Sequence, residues 1–210
     1  MKIRHHHGRR LLLAAAVLFL LATAVQAHQL VLSTGYANSS APKTGGDIDK
    51  VNPPFTGGGG FAVGVRADLD TPNKRMWISP AFLFWNNLTG APDLNSRVNY
   101  FQMEIGGRVS VHTRTDPTFY GGAGVGYTLS HGVKRPRYAG DAQTFDGDFP
   151  SASIHGGVKL PNPSSGVTVL AEASYHFGLE QPTGHLAIGP ARAALIQIGV
   201  AFDLVSGAQP

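Results

Sequence analysis

The sequence predicts an all-β fold: eight antiparallel strands closed into a transmembrane barrel, with the apolar side outward and a polar lumen. Three observations carry that expectation. Apolar and polar residues alternate with period two through most of the chain, the alternating segments are long, and their connections alternate between long and short. Successive side chains on a strand point to opposite faces, so each such segment has one oily and one polar side. The segments run mostly to about 9–13 residues, and a tilted strand that crosses a bilayer needs about 9–11. Soluble strands have a mode of about 5–6.

Residues 1–27 are expected to be a secretory signal peptide. Lys2, Arg4, Arg9 and Arg10 precede an apolar run from Leu11 to Val25, and Val25, Gln26 and Ala27 supply the small-residue spacing that signal peptidase needs. The run is too short for a spanning helix, which wants about 20 apolar residues. His5, His6 and His7 fall in this segment and receive no role. The remaining 28–210 is expected to form one outer-membrane β-barrel domain.

The whole chain has 17 Lys+Arg against 13 Asp+Glu, and four of those bases lie in the leader. The domain is therefore formally neutral, which removes charge as an argument for nucleic-acid binding. Cysteine is absent, so disulfides and thiolate metal sites are excluded. Charged residues make up 14% of the chain, low beside the roughly 25% of an ordinary soluble domain. An exported chain with few charges and no second long apolar run is periplasmic, secreted or a barrel.

Strands are expected near 29–37, 58–70, 75–86, 97–113, 118–130, 151–160, 166–179 and 191–205. The pattern is clearest from Phe61 to Leu69, where Phe61, Val63, Val65, Ala67 and Leu69 oppose Gly64, Arg66 and Asp68. It recurs where Phe101, Met103, Ile105 and Val109 oppose Gln102, Glu104 and Arg108. It recurs again where Val169, Ala171, Ala173 and Tyr175 oppose Glu172, Ser174 and His176. Four long outer loops are expected at 38–57, 87–96, 131–150 and 180–190. Three short periplasmic turns, at 71–74, 114–117 and 161–165, carry the Pro, Asn and Asp that favour tight reversals. Gly57 to Gly60 read as a flexible hinge. Met76 to Phe84 has large side chains on both faces, and Pro80 lacks a ladder donor, so a bulge or register change is expected there.

A soluble lipocalin-like carrier also has eight strands, with the faces reversed. Composition argues against it. The polar face holds glycines (Gly64, Gly106, Gly122, Gly124, Gly126, Gly157, Gly199) among isolated charges, which suits a narrow lumen where a long side chain needs a small one opposite. Arg66, Asp68, Glu104, Arg108, His155, Lys159, Glu172, His176 and Asp203 are the expected lumen network, paired to offset desolvation. Phe84, Trp85, Tyr100, Tyr127, Tyr175 and Phe177 are expected to form one interfacial girdle, with Trp77, Phe119 and Phe202 in the other.

The last strand, Gln197 to Leu204, fits polar-x-Gly-x-x-hydrophobic-x-hydrophobic through Gln197, Gly199, Phe202 and Leu204. In this octamer the chain resembles the small OmpA-type and OmpW-type outer-membrane barrels, although many of those end on the aromatic and this chain continues from Val205 to Pro210. The resemblance implies a location in the bacterial outer membrane. It also implies recognition by the barrel-assembly machinery and contact with outer-membrane lipid and lipopolysaccharide.

Chemistry is less legible. His155, Glu172, Ser174 and His176 share a polar face and could form a hydrolytic set like that of lipid A-modifying barrels, which is the alternative enzymatic reading. Such enzymes work at the lipid-facing surface, however, and no His in the chain has Ser two residues later. Lys134, Arg135 and Arg137 could contact lipopolysaccharide phosphates, and Asp141, Asp146 and Asp148 could hold a divalent ion. The blander reading of that loop is a solvated segment with balanced charge. No cofactor or metal is expected, and no Walker motif or nucleophile elbow occurs. Eight strands leave a lumen that side chains fill, so the expected role is structural, surface-interacting or minor-transport, without a wide pore.

Overall fold

The computed structural model describes residues 28–40, 57–72, 75–91, 94–111, 117–134, 143–162, 165–179 and 191–204. The signal segment 1–27 lies outside them, as do Arg135, Arg137 and Asp141. Eight strands form: β1 (Gln29–Ser39), β2 (Gly58–Asp70), β3 (Met76–Ala91), β4 (Leu94–Ser110), β5 (Thr118–Lys134), β6 (Gln143–Asn162), β7 (Val167–Gly178) and β8 (Ala193–Asp203). Each pairs antiparallel with its neighbours in sequence, and β8 returns to β1, so the barrel is closed. Closure matters because an open sheet edge in hydrocarbon would leave a row of backbone donors and acceptors unpaired.

The stagger sets the width. Gln29 stands level with Asp68 on β2, and once round the barrel Ala193 pairs with Ser39, ten residues further along β1. Between them the level passes through Gly106, Gly124, Ser153 and His176. That shear tilts the strands by about 40° and leaves an interior that side chains fill.

Strand faces follow the alternation. Phe61, Val63, Val65, Ile105, Val109, Val125, Ile154, Val169, Ile196 and Ile198 are exposed on the outside, while Gly64, Arg66, Gln102, Glu104, Ser153, Glu172 and His176 are turned inward and buried. Val125 and Ile198 leave 66% and 65% of their surface open, which in water would be an aggregating face and in lipid is a solvated one. The lipocalin-like arrangement requires the opposite parity.

Several expectations need correction. The long loop expected at 87–96 is mostly strand, since β3 and β4 stay paired as far as Ala91 and Leu94. That expected at 131–150 is likewise largely β5 and β6, paired from Lys134 and Gln143. Beyond the apolar band the outer face no longer has to be greasy, so alternation fades, but the backbone still needs hydrogen-bond partners and the ladder continues. Gly58, Gly59 and Gly60 are no hinge. They pair with Ser39, Asn38 and Ala37, and a Cβ would strike the Tyr36 hydroxyl at Gly59 and Asn86 at Gly60. Nor does Pro80 force a bulge or register change. β3 pairs with β4 straight through Pro80↔Ile105. The β2–β3 ladder pauses between Arg66↔Ala81 and Leu69↔Ile78 and resumes in the same register. Ser79 Oγ bridges that pause by donating to Asp68 Oδ1 at 2.7 Å.

Candidate functional site in the barrel interior

The lumen is layered. At the end where strands meet the short turns, Val31, Leu170 and Ala201 form a small apolar cluster. Trp77 stands at the same end, edge-on to Tyr120 at 5.5 Å between ring centroids, with Lys159 Nζ over its ring at 4.5 Å. The middle holds charges. The loop end is sealed by Leu83, Trp85, Val98, Tyr100, Phe145, Phe149 and Leu195 around small alanines, with Trp85 and Tyr100 stacked at 5.2 Å.

Two of the three charged centres share the lower middle. Glu172 Oε2 accepts from Arg66 Nη1 at 2.7 Å, Tyr120 Oη at 2.8 Å and Arg108 Nε at 3.3 Å. Asp68 Oδ1 accepts from Arg66 Nε at 2.9 Å, and Asp68 Oδ2 from Lys159 Nζ at 3.0 Å. Four strands thus supply the charges of one ion cluster, because odd inward positions on some strands and even ones on others reach the same level. Glu104 is the third centre. It accepts from Gln102 Nε2 at 2.7 Å and Ser153 Oγ at 2.6 Å, and its Oε1 lies 2.8 Å from His155 Nε2. His155 joins the clusters, since its Nδ1 lies 3.4 Å from Glu172 Oε1. Room for Glu104 comes from Gly124, where a Cβ would collide with the carboxylate. Paired, hydrogen-bonded charges are the form in which ions survive inside a protein.

Eight of the nine residues expected in the lumen network are placed together: Arg66, Asp68, Glu104, Arg108, His155, Lys159, Glu172 and His176. Asp203 is the exception. It sits exposed at the last position of β8 and accepts from Gln29 Nε2 at 2.8 Å, touching the network only through Gln29, whose Oε1 accepts from Lys159. Gln102, Ser153, Tyr120 and Ser79 are missing from the expected set, although Gln102 shares parity with Glu104 and Ser153 with His155. The girdle also needs correction. Trp77, Trp85 and Tyr100 are buried in the lumen, whereas Phe119, Tyr175 and Phe202 are exposed outside. Trp85 has the parity of Ser79 and Ala81, and Tyr100 that of Gln102, so the pattern contained the signal.

The hydrolytic set does not assemble as a relay. Ser174 Oγ lies 2.9 Å from His176 Nε2, but the other ring nitrogen faces Gln102 Oε1 at 3.2 Å. Glu172, the acid that would orient a base, is bound to two arginines and Tyr120, and the histidine it approaches is His155, at 3.4 Å, whose Nε2 faces Ser153 and Glu104 rather than Ser174. Of the loop aspartates, Asp146 lies on β6 with its Oδ1 2.8 Å from His131 Nδ1, and Asp148 accepts from Tyr127 Oη at 2.7 Å. No cluster of three metal-ligating side chains occurs among the described residues. In the terminal strand, Gln197 points inward and donates to Ser33 Oγ at 3.1 Å, while Phe202 and Leu204 are exposed outward.

No family model matches the chain, and no curated protein matches it either. Solved structures do. Neisserial surface protein A superposes with a TM-score of 0.59 at 12% identity, over 84% of this chain and 96% of that one. The chain has the fold of the small outer-membrane β-barrels. A major outer membrane protein from Thermus thermophilus gives a TM-score of 0.52 at 9% identity, over 82% of this chain and 98% of its own. At such identities the likeness belongs to the barrel.

Proposed function

We propose that the protein is a closed outer-membrane scaffold whose working surface is its loop end, and that it is not a diffusion pore. The observation that carries this is the filled lumen: ion-paired and hydrogen-bonded side chains from six strands cross the middle, and an aromatic plug seals the loop end. A rigid barrel of this kind holds loops in place, and loops on a rigid scaffold are where binding concentrates. The contact proposed for lipopolysaccharide phosphates is the basic run Lys134, Arg135 and Arg137, which begins at the last residue of β5. Arginine suits such a role through bidentate hydrogen bonds to phosphate oxygens.

Two measurements test the reading. Refolded protein in a planar bilayer should give no steady conductance of porin size, and stable large steps would end the scaffold interpretation. Replacing Lys134, Arg135 and Arg137 together by Ala should weaken retention on lipopolysaccharide micelles while leaving the heat-dependent gel shift of the folded barrel unchanged. Equal retention would remove the basic run from the proposal.

A further inference from the structure

Glu172 is a crowded acceptor. Its two oxygens take N–H groups from Arg66 and Arg108 and the hydroxyl of Tyr120. Two guanidinium nitrogens are left over. Arg66 Nη2 and Arg108 Nη1 are buried without a hydrogen-bond partner, and both arginines are almost wholly enclosed, at 7% and 2% exposure. Both line the same small, partly open cavity, with about 10 Å³ of room for water, whose wall also includes the polar Ser33, Glu172 and Gln197 and the apolar Val31, Val65 and Leu83. Short side chains make that room. A Cβ on Gly64 would come within 2.8 Å of Ser33 Oγ and 2.9 Å of Leu83 Cδ2.

We infer that this cavity is a built site for one water molecule, which accepts from the spare guanidinium N–H groups and donates to the carboxylate or amide beside them. Cavities that stay dry are lined by apolar groups throughout, whereas this one, although Val31, Val65, Ala81 and Leu83 form part of its wall, also presents two cations, a carboxylate, an amide and a hydroxyl. Its volume matches a single water, for which roughly 10–15 Å³ is the minimum. Any anion, whether sulfate, phosphate or a halide, would have to sit against the Glu172 carboxylate. The site completes the hydrogen bonding of the arginines where no protein acceptor is left.

Crystals of the full chain grown in bromide test this directly. Expected is one ordered peak within hydrogen-bond distance of Arg66 and Arg108 and without bromide anomalous signal. An anomalous peak there would make the ligand an anion, and absence of any peak would also overturn the inference. A solution experiment adds a second arm through Ala81→Ser, which puts a hydroxyl oxygen at the cavity wall. Magnetic relaxation dispersion should then count one fewer long-lived internal water than in the native protein. An unchanged count would place the water elsewhere. The wild-type crystal stands whether or not the variant folds.

Discussion

Glu104 shows at the scale of single residues how much depends on the interior. Its carboxylate takes hydrogen bonds from Gln102 and Ser153 and faces His155, so Glu104→Leu strips the acceptor from all three while their own burial is unchanged. Removing one member of a buried polar set costs about 3–5 kcal/mol. The expected outcome is a lower denaturant midpoint in detergent at unchanged slope, and an unshifted midpoint would show that the set contributes nothing. Arg66 and Glu172 should be coupled in the same way. Arg66→Met and Glu172→Leu should each destabilise strongly, and the double variant should cost clearly less than their sum, because each single change strands the other's charge. Additive losses in a double-mutant cycle would mean that the 2.7 Å contact carries no coupling. These partners were only partly legible in the sequence. Charges advertise themselves, but Tyr120, Gln102 and Ser153 look like ordinary strand residues until parity is combined with register.

Among the strands, legibility followed the solvent on each side. β2, β7 and β8 could be read almost to their ends because both faces have fixed demands there, hydrocarbon outside and ion pairs inside. β3 and β4 ran on through Asn87 to Ala91 and Leu94 to Ser96 without an alternating apolar pattern in the sequence to announce them. Trp85 and Tyr100 were misplaced because an aromatic suits either a girdle or a plug, and only its neighbours' parity decides. Glycines divide in a way that can be measured. A Cβ on Gly126 would run into the Met103 carbonyl of β4, whereas one on Gly107 meets nothing within 4 Å. Gly126→Ala should therefore destabilise by roughly 1–3 kcal/mol, the usual cost of overpacking. Gly107→Ala should be neutral or stabilise by about 0.5–1 kcal/mol through the unfolded chain. Equal midpoints for the two variants would contradict the close approach of β4 and β5.

For the whole molecule, the decisive property is that two unlike surfaces are wound into one sheet. The outside is greasy through its middle, and the inside carries three carboxylates facing three bases and a histidine pair. That inversion relative to a water-soluble barrel follows from parity and composition together. Parity separates the two faces of each strand, and composition, with glycines and isolated charges on one face and branched or aromatic side chains on the other, assigns which is outward. The fold was therefore readable while the lumen's layering was not. The inversion also makes opposite faces of one strand respond differently to charge. Ile198 and Gln197 are adjacent on β8, one 65% exposed to the outside and the other 3% exposed in the lumen. An arginine at a lipid-facing position near the bilayer midplane costs about 2–4 kcal/mol, so Ile198→Arg should lower the unfolding midpoint in lipid vesicles by an amount of that order. In short-chain detergent, where the head can reach water, the loss should shrink. Were the outer face bathed in water instead, Ile198→Arg would be close to harmless in both media, as surface substitutions usually are. A vesicle-to-detergent comparison on this single variant therefore reports which solvent the barrel's outer face has evolved to meet.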